Sequence, residues 1–434
     1  MRMTKTIHRA DILHFLDNPK NVSTVEESYQ HIVDGGLVIE HGIVVACLSF
    51  VEAQAQHPHA EVVEHTNALL LPGFVDTHIH YPQTEMVAAY GEQLLEWLNT
   101  YTFPTERKFE SPAHAQKISK IFIDELLRAG TTTALVFGTV HPQSIDAFFE
   151  EAQRKNLRMI AGKVMMNRNC PEYLQDTAET SYHDSKDLIA RWHNTDRLQY
   201  AVTPRFAPTS TREQLDKAGE LLIEFPSVYM HTHLSENPDE IAWVKSLFPE
   251  CSSYLDVYKQ SGLLGRRSIF AHCIHMEDEE WSMLSETRSG IAFCPTSNLF
   301  LGSGLFNLER AHSENIQVGL GTDIGAGTSF SMLQTLNEAY KVQQLRGDTL
   351  SPFYGLYLAT LGGAETLDLG NHIGNFQTGK EADFIVLDKA ATPLLKFRLE
   401  QCTTLFEELF VLSMLGDDRA IKETWIMGER AHHR

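Results

Sequence analysis

The sequence has no C-x-x-C pair. Its six cysteines, Cys47, Cys170, Cys251, Cys273, Cys294 and Cys402, lie far apart, which excludes a zinc knuckle or a disulfide framework. They read as buried apolar residues of a reducing compartment. No apolar run reaches the roughly 18 residues that a membrane-spanning helix needs. The first residues, Met1-Arg2-Met3-Thr4-Lys5-Thr6-Ile7-His8, contain no apolar core of signal-peptide length, so a cytoplasmic location is expected. Positive charge is scarce: 36 Lys and Arg face 57 Asp and Glu, a net charge of −21. Such a surface repels phosphate and argues against nucleic acid or an anionic membrane as partner. What remains is an ordinary globular profile, 434 residues with 43% hydrophobic and 21% charged, together with 21 histidines. A His-rich chain without paired cysteines can build a metal site from imidazole and carboxylate.

From Ile7 to about Leu71 the chain reads as short strands, such as 37–40 and 42–46, with no helix of convincing length. The same texture returns at 379–388 and 424–428. Two distant β segments, each too small to bury a core alone, are expected to pair into one small β-sandwich domain, 1–71 plus 375–434. Between them, over 72–374, apolar strands alternate with amphipathic helices. Strands are expected at 74–79, 132–137, 158–165, 199–203, 228–232, 268–271, 290–293 and 317–321, with helices at 119–128, 144–155, 211–224 and 332–345. This alternation predicts an α/β fold, a (β/α)8 TIM-like barrel, whose active site lies at the carboxyl ends of its strands.

At those ends stand metal-type side chains. His78 and His80 close the first barrel strand and, two apart, face the same way. H-x-H alone is weak, and His57-Pro58-His59 has the same spacing in a polar, strandless stretch that reads as exposed. The fifth strand ends on His233, with His231 one step deeper and read as packed. Glu236 follows in the loop, at an offset suited to a proton-shuttling acid. The sixth strand ends on His272 and the eighth on Asp323. Side chains from four strands thus meet on one rim, and three His with one Asp around an open position suit zinc.

The barrel stretch resembles the amidohydrolase superfamily. Its segment from Pro72 to Glu106, with His78-Ile79-His80-Tyr81-Pro82-Gln83 and Leu94-Leu95-Glu96-Trp97-Leu98 running on to Phe103-Pro104-Thr105-Glu106, resembles the guanine deaminase branch. The likeness extends through His233-Leu234-Ser235-Glu236, 294–304 and 322–327 to 379–388, nearly the whole chain. It implies one Zn2+ per subunit, with Fe2+ acceptable to the same donors, held by His78, His80, His233 and Asp323. Glu236 would carry protons, and His272 and Asp323 would aim and deprotonate the attacking water. Base contacts would come from His80, Gln83, Arg205, Phe206 and His233, with Trp97 and Leu98 on a covering segment. Independently, Arg205 offers a planar donor fork and Phe206 a face for a flat ring. The resemblance further implies a homodimer acting on guanine, a free purine base, in purine catabolism or salvage.

Three motifs are set aside. His59-Ala60-Glu61 matches the H-x-E of another zinc deaminase fold but has no P-C-x-x-C partner. The run 374–380 imitates a phosphate-binding loop yet continues into Glu381 and a strand. Lys163, which could be a metal-bridging carboxylated lysine, falls on the third strand when the fourth is required. The terminal His432-His433 reads as a loose tail. The rival readings are an aminohydrolase acting on an adenine derivative, cytosine or a triazine, a barrel scaffold without catalysis, and a nucleic-acid deaminase.

Overall fold

The computed structural model describes residues 5–90 and 94–434, so Met1–Thr4 of the N-terminal segment lie outside the described residues. Strands β1 (Thr6–Phe15), β2 (Tyr29–Glu40), β3 (Ile43–Ser49) and β4 (Glu61–Pro72) lead into the barrel strands. These are β5 (Phe74–His80), β6 (Thr131–Phe137), β7 (Arg158–Gly162), β8 (Val164–Met165), β9 (Gln199–Pro204), β10 (Tyr229–Leu234), β11 (Ser268–His272), β12 (Gly290–Phe293) and β13 (Val318–Leu320). The chain closes with β14 (Phe384–Asp388), β15 (Ile421–Ile426) and β16 (Glu429–His433).

Strands β5, β6, β7, β9, β10, β11, β12 and β13 pair in that order, every pair parallel, and the short β8 pairs with β9. The ring closes beyond β13, where the Asp323 N–H donates to His78 O at 2.9 Å and the His80 N–H to Ile324 O at 3.0 Å. The expected strands coincide with the observed ones to within two residues at each end, except that Lys163 splits the third into β7 and β8. They were legible because parallel strands are buried on both faces, as all seven residues of β6 are. The helix expected from Ser119 starts earlier, at Pro112, with Ser111 as N-cap. It buries Ala115, Ile118, Phe122, Ile123 and Leu126 at helical spacing.

The terminal segments form one seven-stranded sheet in the order β16-β15-β14-β4-β1-β2-β3. Phe384 pairs with Pro72, so the returning chain is stitched to the strand that feeds the barrel. The ring of His8 on β1 lies 4.5 Å from that of Trp425 on β15, although β4 and β14 stand between them. Flat neighbours that far apart would be separated by about 14 Å. The sheet therefore curls, closing over Ile12, Leu37, Ile39, Leu70, Phe384 and Val386.

Several local expectations are corrected. A helix, Phe50–Gln56, interrupts the N-terminal strands, and its signal was present as a capping box between Ser49 and Glu52. His432 and His433 form part of β16 instead of a loose tail. Only Cys273 and Cys294 are buried, the other four cysteines being half-buried. Helices Pro393–Leu399 and Leu405–Leu415 occupy the C-terminal segment, and Phe410 packs at 5.0 Å on Tyr340 of the barrel helix Met332–Arg346.

A buried ion cluster joins the curled sheet to the base of the barrel. Arg197, just before β9, pairs with Glu381 at 2.7 Å and with Asp383, while Arg158 of β7 also pairs with Glu381. Removing one member of a buried cluster strands its partners' charge. Arg197→Met is expected to cost about 3–5 kcal/mol, read as a lowered urea midpoint. An unchanged midpoint would show that the cluster is solvated.

Candidate active site

Strand period two aims His78 and His80 inward at the carboxyl end of β5. The segments leaving the neighbouring strands then turn sharply. Ser235, His272, Cys273 and Asp323 all take positive φ, between 50° and 75°, at the ends of β10, β11 and β13. Left-handed conformations cost non-glycine residues of order 1–3 kcal/mol each and gather where function over-determines them. Gly327 makes the last of these turns possible, because a Cβ there would stand 1.8 Å from Thr322 O.

Four side chains converge. His78 Nε2 lies 3.2 Å from Asp323 Oδ1, His80 Nε2 lies 3.4 Å from the same oxygen, and His80 Nε2 lies 3.2 Å from His233 Nε2. Each facing atom is a lone-pair donor. The His233 Nδ1–H donates to Arg205 O at 2.7 Å, which leaves its Nε2 lone pair inward. His78 Nδ1 meets His231 Nε2 at 2.7 Å, and the buried His78 Nε2 has no hydrogen-bond partner. Burial holds His78, His80 and His233 well below the ordinary imidazole range, so they stay neutral and able to ligate. Lone pairs packed this closely repel unless a cation sits between them. Atoms about 2.0–2.1 Å from a tetrahedral centre stand about 3.3 Å from one another, the spacing found here. The residues therefore fit a divalent ion.

His272 stands just outside this set. Its Nδ1–H donates to Asn298 Oδ1 at 2.8 Å, and its Nε2 lies 3.5 Å from Glu236 Oε2 and 3.9 Å from Asp323 Oδ2. It stands between the carboxyl groups of Glu236 and Asp323. Burial, reinforced by the charge of Asp323, pushes Glu236 up to about 8, against the opposing pull of the Ser303 hydroxyl that donates to its Oε1 at 3.0 Å. Both effects favour the protonated form of Glu236. Glu240 fixes the loop that carries it, accepting the N–H groups of Glu236 and Asn237 at 2.9 and 3.1 Å.

A cavity opens above these groups. Its walls include His80, Gln83, Trp97, Leu98, Arg205, Phe206, His233, Glu236, His272 and Asp323, so the sequence-derived residues meet in one place, with His78 deeper beneath them. Leu94, Trp97, Leu98, Leu301 and Ala326 supply its apolar surface. The residues set aside lie elsewhere: Lys163 is paired with Asp176 at 2.6 Å, and His59 is exposed on a turn. Sequence reasoning assigned no role to Glu106, Asn298, Ser303 or Glu240. The first three stand inside segments that carried the family likeness, but no spacing rule links them to their partners. Glu106, itself buried, pairs with the cavity-lining Arg205 at 2.9 Å.

A parallel eight-strand barrel with three His and one Asp at its mouth, flanked by a buried Glu, defines the metal-dependent hydrolase class. The chain belongs to the amidohydrolase family, whose profile matches residues 69–431. A guanine deaminase from Escherichia coli (strain K12) is 57% identical over 425 residues, covering 98% of this chain and 96% of its own. A solved structure of E. coli guanine deaminase superposes with a TM-score of 0.95 at 54% identity, over 99% of each chain. That of the C. acetobutylicum guanine deaminase, solved with guanine bound in its active site, gives 0.89 at 29% identity over 98% of this chain and 100% of its own.

Proposed function

We propose that this protein is a guanine aminohydrolase that converts guanine and water to xanthine and ammonia. The observation that carries the reading is the convergence of His78, His80, His233 and Asp323 beside a buried Glu236, beneath a cavity walled by Arg205 and Phe206. The identity to guanine deaminases over nearly the whole chain supports the choice of base. In this reading 72–374 is the hydrolase barrel, and 1–71 with 375–434 is a composite domain.

A Zn2+ ion held by His78, His80, His233 and Asp323, one per subunit, supplies Lewis-acid activation of water when bound, and Fe2+ suits the same donors. The protein's own groups do the rest. Gln83 and Arg205 hold the polar edge of the base, Phe206 offers its face, and Trp97 and Leu98 exclude bulk water. Asp323 and His272 orient the attacking water and take its proton. Glu236 delivers its proton to a ring nitrogen as the C2–O bond forms, takes the proton of the new C2 hydroxyl and passes it to the exocyclic amine as the C2–N bond breaks and ammonia leaves; the proton taken from the water returns to Glu236 to close the cycle. No group is oxidised or reduced.

The six unpaired cysteines fit the reducing cytoplasm, where the reaction would serve purine catabolism or salvage. The protein would act as a homodimer, checked by light scattering. The test of function is a metal assay on purified protein together with an ultraviolet screen of guanine, adenine, cytosine and their nucleosides for ammonia release. Turnover of another base in preference to guanine favours the rival aminohydrolase. Bound metal without any turnover favours the scaffold.

A further inference from the structure

Glu106 is a buried charge that stands behind two residues of the cavity wall, Arg205 and Gln83. Its side chain is 1% exposed and that of Arg205 3%. Both of its oxygens accept from one nitrogen, Arg205 Nη1, at 3.0 and 2.9 Å. No hydrogen bond among the described residues engages Arg205 Nε or Nη2, and Arg205 lines the cavity. The same carboxylate accepts from Gln83 Nε2 at 3.3 Å, while Gln83 Oε1 accepts from the Gly325 N–H at 3.4 Å. The amide is thereby held at both ends with its NH2 beside the guanidinium. Phe103, three residues before Glu106, puts its ring 5.5 Å from the guanidinium carbon and limits tilt. Glu106, Trp97 and Leu98 share one helical run over 94–110, whose middle turn, Leu98–Thr102, is a π-helix.

We propose that Glu106 is a positioning residue that sets base specificity, locking Arg205 and Gln83 into one donor edge shaped for the carbonyl side of an oxo-purine. The inference rests on the functional reading above. A base presenting a carbonyl satisfies that edge. A base lacking one leaves buried donors unpaired, and sites built to hydrogen-bond a polar group discriminate strongly on that ground. Glu106 touches neither the metal-facing set nor Glu236, so its loss should weaken binding of the base more than the chemical step.

The test compares guanine with 2-aminopurine, which keeps the ring and the 2-amino group and lacks the carbonyl. In Glu106→Gln the KM for guanine should rise about 10- to 100-fold, the size of one hydrogen bond to a charged group. Its kcat and metal content should stay near those of the unaltered protein. The binding of 2-aminopurine, followed by its fluorescence or as inhibition, should change little. Glu106→Asp keeps the charge and should recover part of the guanine affinity; if Glu106→Gln does not fold, Glu106→Asp carries the comparison by its guanine-selective loss. Equal losses on both bases, or a fall in kcat at constant KM, would overturn the proposal alone. An unaltered protein that releases no ammonia from guanine would overturn the functional reading instead.

Discussion

Glu236→Gln should lower kcat on guanine by about 10²–10⁴-fold, with metal content unchanged and KM within a few-fold. The amide fills the same space and can still accept from the Ser303 hydroxyl, but it cannot release and recapture a proton. With nothing else replaced, the loss isolates proton transfer. The pH profile gives a second, independent reading. Burial and the negative charge of Asp323 place Glu236 at about 8, so the carboxyl is protonated below that pH and ionised above it. Delivery to the ring nitrogen requires the protonated form, and activity should fall as pH rises through about 8. In Glu236→Gln the residual activity should lose that alkaline limb. A variant that keeps both rate and limb would assign the proton to another group, with His272 the nearest alternative.

The second large effect concerns the metal-facing carboxylate. Asp323→Asn should abolish metal retention through purification and reduce turnover to background. Its effect on stability should depend on the metal. Asp323 is buried, and burial raises its carboxyl above the usual range, so without a cation the native state bears an unfavourable charge. Replacing it should leave the metal-free protein as stable as before, or more so. A ligand at 1,000 times its Kd stabilises a folded protein by about 4 kcal/mol, and only the unaltered chain can gain this. Chelation should therefore lower the thermal midpoint of the unaltered protein and leave that of Asp323→Asn unmoved. An equal chelator shift in both would place the metal elsewhere.

The place of the histidines and of Asp323 on one rim was legible in the sequence, and the reason is geometric. A parallel barrel converts the ends of its strands into one rim, so a side chain's position in its own strand already says where it will stand. Strand parity put His78 beside His80, and the (β/α) alternation put His233, His272 and Asp323 on the same rim. Parity was not sufficient on β10, where His231 and His233 share a face. Depth separated their roles: His233 reaches the cavity, while His231 sits below and holds His78 through its second nitrogen.

The sequence by itself determined the alternation, the strand positions and the donors at their carboxyl ends, because periods of 2 and 3.6 residues are written locally. Only the tertiary structure decided which loop side chains complete them. Glu106 meets Arg205 across 99 residues, Ser303 meets Glu236 across 67, and Asn298 meets His272 across 26. It also decided that the terminal sheet curls until His8 touches Trp425, and that His432 and His433 join a strand. Such pairings depend on loop turns with strained backbone and on packing between distant segments, and no local periodicity encodes either.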